Sequence, residues 1–345
     1  MEINDFVKKY DPQKQYEVLI NSYKQVEYSW NQKIDLSGIK PHEISSIIIT
    51  GLGGSAISGE LMANFLCSDL KVPFAVNRNY NLPSYTNEGT LVICSSYSGN
   101  TEETLSAAKD AAENKCKVIC ITTGGKLEDF ALENNFPLFK LQTGYQPRFA
   151  LWLNFFALIK CLHLLNLVQD DNEIAEKSIN LLKRRGIEYT KKNSDAFKIA
   201  ESFIGFIPVV YSVADITSAV GTRLKSQFNE NSKLHSFCSL LPELNHNEII
   251  GWETFNENQF KAKVLFIYDK VYHPQVMKRI EITKDLLEKS DAEFIQIESN
   301  EKEFKLRLLD LVYLGDWISY YLALLRGQDP SLIDNILYLK EKLVE

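Results

Sequence analysis

Ile47-Ile48-Ile49-Thr50 is a short β-branched apolar run that stops at Gly51-Leu52-Gly53-Gly54-Ser55-Ala56. A run of this length closed by glycines reads as a buried strand entering a turn. The pattern recurs at Phe74-Ala75-Val76, Thr90-Leu91-Val92-Ile93-Cys94 and Val118-Ile119-Cys120-Ile121-Thr122, with helical spacing over residues 61–66 and 102–114. In the second half, Ile207-Pro208-Val209-Val210-Tyr211, Val264-Leu265-Phe266-Ile267-Tyr268 and Phe294-Ile295-Gln296-Ile297 alternate with helical patterns at 218–228 and 274–289. Strands separated by helices predict parallel sheets with helices on both faces. Further helical patterns cover residues 13–32, 302–325 and 331–343, and a charged one covers 170–194. The expected fold class is α/β, with two flavodoxin-like three-layer α/β/α domains. The expected division is a helical segment 1–35, a domain 36–168, a helical connector 169–194 and a domain 195–345. The length of 345 residues suits two domains at roughly 150 residues each.

The chain has 38 basic and 45 acidic residues, a formal charge of −7, and no basic tract. That argues against nucleic acid and anionic membranes as partners, but not against a small anionic ligand. Cys67, Cys94, Cys116, Cys120, Cys161 and Cys238 form no CxxC pair and mostly lie among apolar residues. They read as reduced thiols of a cytoplasmic protein. No grouping of His, Cys, Asp or Glu has metal spacing, so no metal and no cofactor are expected. His42, His163 and His273 read as surface or packed residues. The first residues carry neither the basic nor the apolar region of a signal peptide. Residues 149–168 are apolar enough for a bilayer, yet Asn154, Lys160, His163 and Asn166 interrupt them. A buried helix is the expected outcome.

The glycine turn after Thr50 lets backbone amides approach an anion ahead of a helix. A dinucleotide fingerprint would need an acidic residue closing the next strand, where Asn77-Arg78 stands instead. Ser95-Ser96-Tyr97-Ser98-Gly99-Asn100-Thr101 is the more informative turn, since it follows a second strand and opens the helix at Glu102. Ser96, Ser98 and Thr101 surround one turn with three hydroxyls, which suits a phosphate held by neutral donors. The plainer alternative is Thr101 as a helix N-cap, which needs only one hydroxyl.

SSYSGNTEET together with GLGGSA resembles the sugar isomerase (SIS) domain signature. That resemblance implies phosphosugar binding, with Gly54, Ser55, Ser96, Ser98 and Thr101 at the phosphate. In the second half, Arg223-Leu224-Lys225-Ser226-Gln227-Phe228-Asn229-Glu230-Asn231 is followed by Pro242-Glu243-Leu244-Asn245-His246-Asn247-Glu248. With Gln146-Pro147-Arg148-Phe149-Ala150 and Arg326-Gly327-Gln328-Asp329-Pro330, nearly the whole chain resembles the bifunctional phosphoglucose/phosphomannose isomerases, which carry two SIS domains. The resemblance implies two SIS-type domains and a homodimer in which His246 reaches the partner subunit's site. It also implies a metal-independent enzyme of carbohydrate metabolism (glycolysis or gluconeogenesis). Such an enzyme interconverts glucose 6-phosphate, and mannose 6-phosphate as a second substrate, with fructose 6-phosphate through a cis-enediol(ate).

The residues suit that chemistry. A carboxylate such as Glu230 can carry a proton between C2 and C1, His246 can serve ring opening near neutral pH, and Arg148 can stabilise enediolate charge. Taken singly, Glu230 could be a solvated helix-end carboxylate, His246 a turn residue and Arg148 an ion-pair partner. Glu243 and Glu248 could compete as the base or orient His246. The chain departs from the family pattern at His235, where proline is usual, and which reads as a strand residue. It departs again at Ser331, in place of threonine, which could contact the sugar. The main rival is a non-catalytic phosphosugar-binding SIS regulator, which would bring a DNA-binding or other output module and a basic face.

Overall fold

The β-branched runs form strands that are buried along most of their length, which is why they lack the alternation of half-exposed strands. The computed structural model describes residues 3–168, 172–257 and 261–343. Helices α1 (Ile3–Tyr10), α2 (Gln15–Ile20) and α3 (Ser22–Asn31) precede β1 (Ser46–Thr50). There follow α4 (Gly53–Phe65), β2 (Phe74–Asn77), β3 (Thr90–Ser96), α5 (Glu102–Glu113), β4 (Lys117–Thr122) and α6 (Lys126–Glu133). Next are β5 (Leu138–Lys140), α7 (Leu151–Leu164), α8 (Asn172–Tyr189), α9 (Asp195–Ser202), β6 (Ile207–Val213) and α10 (Ser218–Glu230). The chain closes with β7 (Phe237–Leu241), β8 (Ala262–Ile267), α11 (Pro274–Lys289), β9 (Glu293–Ile297), α12 (Phe304–Leu325) and α13 (Asp334–Lys342).

The chain divides into two compact units, one of residues 21–183 and the other of residues 1–20 with 184–345. The first holds a sheet in the order β2-β1-β3-β4-β5, parallel throughout. Leu151 to Ile159 of α7 are all buried, so the apolar stretch is a core helix. Helix α3 is stitched to it by polar bonds: Gln25 Nε2 donates to the Phe149 carbonyl at 2.7 Å, and Ser29 Oγ to the Leu153 carbonyl at 2.8 Å.

The other unit holds a parallel sheet in the order β7-β6-β8-β9. Helix α12 is 22 residues long and contains an 18-residue window of mean hydropathy 1.3, sufficient by length and composition to cross a bilayer, but 94% of that window is buried within the protein. Its three acidic or basic core residues are all neutralised: Arg307 by Asp269, Asp310 by Arg185 and Asp316 by Arg223. Buried charge is tolerable only when paired in this way. Asp11 caps α2 by accepting from the Gln15 and Tyr16 amides, and also accepts from Tyr320 Oη at 2.8 Å.

Several expectations need correction. The helix expected over 13–32 is two helices that break at Asn21, and the two fall in different units. Helix α4 starts at Gly53, well ahead of residue 61, so Gly53 and Gly54 lie inside its first turn. Strands β5 and β7 and helices α6 and α9 did not stand out in the sequence; β5 has only three residues, and the run of β7 is interrupted by Ser239. His235 is not a strand residue: it is exposed ahead of β7, its ring set edge-to-face on Phe237. All six cysteines are free, but Cys67 is exposed and Cys238 half-buried, unlike the other four. The expected connector begins at residues 169–171, outside the described residues, and continues as α8.

Candidate active site

In the order β2-β1-β3-β4-β5, the connections leave in opposite directions from β1 and β3. Ligands of open α/β sheets bind beyond the carboxyl ends of strands at such a switch point. The two turns singled out by sequence occupy it, since Gly51 to Ser55 follows β1 and Tyr97 to Thr101 follows β3. Each then opens a helix, so first-turn amides of α4 and α5 supply donors with no intrahelical partner.

The hydroxyl turn is held by its own bonds. Ser96 Oγ lies 2.9 Å from Thr101 Oγ1 and accepts from the Gly99 amide at 3.1 Å. Ser98 Oγ is exposed and accepts from the Asn100 amide at 3.2 Å. Thr101 occupies the N-cap position of α5, but its side chain makes no cap bond. The plain capping role is therefore not the one its hydroxyl plays. Gly99 has φ +69°, and a Cβ there would overlap the Gly124 carbonyl oxygen. Only glycine lets the β3 and β4 turns approach so closely.

Gly54 meets a similar limit, since its Cβ would lie 2.6 Å from the Pro147 carbonyl oxygen. The glycine turn thus packs directly on the 3-10 turn Pro147–Phe149 that carries Arg148. Arg148 is 5% exposed, with its guanidinium 5.3 Å from the centroid of the Phe149 ring. Tyr97 ties the hydroxyl turn to the same segment: its phenol donates to the Gln142 carbonyl at 3.1 Å and accepts from the Tyr145 amide at 2.9 Å. Burial holds that phenol above its ordinary pKa, so it remains a donor. Within this unit, then, Gly54, Ser55, Ser96, Ser98, Thr101 and Arg148 belong to one connected set of turns. Sequence reading missed Tyr97, Gln25 and Asn154 in this set, the last bonded to Ser55 and Ser95. The one available signal was an amide at 154 inside an apolar run.

In the other unit, Glu230 is the last residue of α10 and half-buried. The helix is keyed to α12 by residues four apart, which share one face. Arg223 pairs twice with Asp316 at 2.9 Å, Gln227 donates to Asp316 at 2.9 Å, and Asn231 donates to Ser319 Oγ at 3.1 Å. Lys233 Nζ then donates to the Glu230 carbonyl at 2.7 Å and to the Asp329 carbonyl at 2.8 Å. This joins the Asn229-Glu230-Asn231 and Asp329-Pro330 motifs. Ser331 is 1% exposed, its amide held by Asp329 Oδ1 at 2.7 Å, so it supports this turn from within.

His246 ends a 3-10 turn beyond β7 and is exposed. Both neighbouring carboxylates are engaged by other side chains. Glu243 accepts from Asn247 Nδ2 at 3.0 Å, while Glu248 accepts from Tyr211 Oη at 2.6 Å, and Trp252 Nε1 donates to Tyr211 Oη at 2.7 Å. Burial and the Glu248 charge raise the Tyr211 pKa, which keeps the phenol a donor. Topology separates His246 from Glu230 in one chain. Asn229 reaches the Ser236 amide and Ser236 the Pro208 carbonyl, so the end of α10 lies at the amino edge of this sheet. His246 follows the carboxyl end of β7. The 13 residues of α10 cover about 20 Å between those edges. Among the described residues, no group of three His, Cys, Asp or Glu could hold a metal ion.

Residues 42–133 match the SIS domain, and residues 192–343 match the bacterial phospho-glucose isomerase C-terminal SIS domain. The bifunctional phosphoglucose/phosphomannose isomerase of Caldicellulosiruptor bescii is 36% identical, over 96% of this chain and 99% of its own. The chain belongs to the bifunctional phosphoglucose/phosphomannose isomerase family. The Aquifex aeolicus member is also 36% identical, over 95% of this chain and 98% of its own. The crystal structure of glucosamine-6-phosphate deaminase from Thermotoga maritima superimposes with a TM-score of 0.67 at 16% identity, covering 91% of this chain and 95% of that one. That likeness speaks to the fold of two SIS domains. The hydroxyl and glycine turns fall within the first matched range, and Glu230, His246 and Ser331 within the second.

Proposed function

We propose that this chain is an aldose–ketose isomerase that converts glucose 6-phosphate, and mannose 6-phosphate as a second substrate, to fructose 6-phosphate without a metal. The observation that carries the reading is the hydroxyl turn Ser96–Ser98–Thr101 at the switch point of a parallel sheet in a member of this family. Gly54, Ser55, Ser96, Ser98 and Thr101 hold the phosphate through hydroxyls and amides. His246 moves a proton between the ring oxygen and the C1 hydroxyl, opening the ring. Glu230 takes the C2 proton. The C–H electrons form the C1–C2 double bond, and the former carbonyl oxygen becomes an enediolate oxygen facing Arg148. Protonation of that oxygen, loss of the O2 proton and return of the Glu230 proton to C1 complete the ketose. Rotation about C2–C3 lets either face of C2 meet Glu230, which accounts for both epimers. The free thiols fit a cytoplasmic enzyme.

The working form in this reading is a homodimer in which His246 serves the partner subunit's site. Its support is the placement of Glu230 and His246 at opposite edges of one sheet. Co-expressing Glu230→Gln with His246→Ala tests function and arrangement together. Each variant alone is expected to be inactive. In a mixed dimer, one site carries both changes and the other neither, so a statistical mixture regains about a quarter of wild-type fructose 6-phosphate formation. No recovery would mean that His246 serves its own chain.

A further inference from the structure

Asn154 is an amide in a helix whose residues from Leu151 to Ile159 are otherwise apolar, and it is 1% exposed. Burying an amide costs free energy unless both its ends are bonded, and here one end finds Ser55 in the turn after β1 and the other Ser95 near the end of β3. Asn154 Nδ2 donates to Ser55 Oγ at 3.1 Å, and Ser95 Oγ donates to Asn154 Oδ1 at 3.2 Å. A serine hydroxyl has one proton and two lone pairs. The Asn154 N–H occupies a lone pair of Ser55, and the Ser55 hydroxyl makes no other hydrogen bond among the described residues. Its proton is therefore left for an acceptor that the chain itself does not provide. On the other side, Ser95 spends its proton on the amide oxygen. The chain Ser95, Asn154, Ser55 runs donor to acceptor in one direction, each bond polarising the next.

We infer that Asn154 is a positioning residue for phosphate. It fixes Ser55 as an outward donor, and it ties the turn after β1 to the end of β3. The inference rests on the reading of these turns as the phosphate site. It explains why a polar residue stands in the core helix α7, and it assigns specificity for a phosphorylated sugar partly to a residue that never touches the ligand.

Asn154→Asp keeps the shape but offers acceptors to both serines, which draws the Ser55 proton inward and sets a negative charge beneath the anion. Fructose 6-phosphate binding, measured by calorimetry, should weaken about 10–100-fold, the range for a lost hydrogen bond to a charged group. In turnover, KM should rise by a similar factor while kcat changes little. A merely structural residue would lower kcat and thermal stability without that split. Asn154→Leu supplies the second arm in a cycle with Ser55→Ala: once Ser55 is alanine, the Asn154 change should add no further loss of binding. Wild-type protein that fails to bind fructose 6-phosphate would defeat the proposed function itself. Wild-type protein that binds it, alongside Asn154 variants that bind equally well or whose effects simply add to that of Ser55→Ala, would overturn the positioning role alone.

Discussion

Glu230→Gln is expected to lower kcat for both aldoses by about 10²–10⁴-fold, the usual contribution of a general acid–base group. Fructose 6-phosphate should bind as before. The substitution is isosteric, and the bond from Lys233 Nζ to the Glu230 carbonyl at the end of α10 is to the main chain and survives it. The helix face that docks on α12 uses Arg223, Gln227 and Asn231, so Glu230 can change without loosening it. Rapid-quench or coupled assays give kcat, and calorimetry gives binding. An active Glu230→Gln beside an inactive Glu248→Gln would move the base to Glu248. The structure argues against that outcome, because Glu248 is engaged by Tyr211 at 2.6 Å.

Asp316→Ala should have the largest effect on stability. Asp316 is 3% exposed and receives the Arg223 guanidinium and the Gln227 amide. Removing it leaves a buried guanidinium without its carboxylate, at a cost of about 3–5 kcal/mol. It also loosens the face that sets the position of Glu230, so activity should fall even at temperatures where the protein stays folded. Urea unfolding followed by circular dichroism gives the stability change. A loss below about 1 kcal/mol, the range of an exposed pair, would show that α10 is held by apolar packing instead.

Strands β1, β3, β4, β6 and β8 were legible because their neighbours bury both faces and demand unbroken apolar runs. Leu138-Phe139-Lys140 is too short and Phe237-Cys238-Ser239 too mixed to give such a signal, whereas the edge strands β2 and β9 kept apolar runs that could be read. The start of α4 was misplaced for a related reason. Gly53 and Gly54 are poor helix formers: Gly53 stands at φ +51°, which favours glycine, and at Gly54 the Pro147 carbonyl comes too close for a side chain. The hydroxyl turn could be read from residue type alone, because three hydroxyls in six residues are more than a cap requires. Glu230 could not be singled out without the family resemblance. What distinguishes it is the Lys233 and Asp316 anchoring, whose bonded pairs lie up to 96 positions apart. Asn154 posed the same difficulty: in the sequence it is one of four interruptions that favour a buried helix, and its partners Ser55 and Ser95 appear only once the segments after β1 and at the end of β3 meet α7.

The central claim is isomerisation of two epimeric 6-phosphosugars by protein groups alone. Its most direct test is to treat the purified protein with a chelator, supply glucose 6-phosphate and mannose 6-phosphate separately, and measure fructose 6-phosphate released. Turnover of both aldoses, undiminished by the chelator, is the predicted result. Release of fructose 6-phosphate from neither aldose at high protein concentration, or activity that disappears with chelation and returns with a divalent metal, would contradict it.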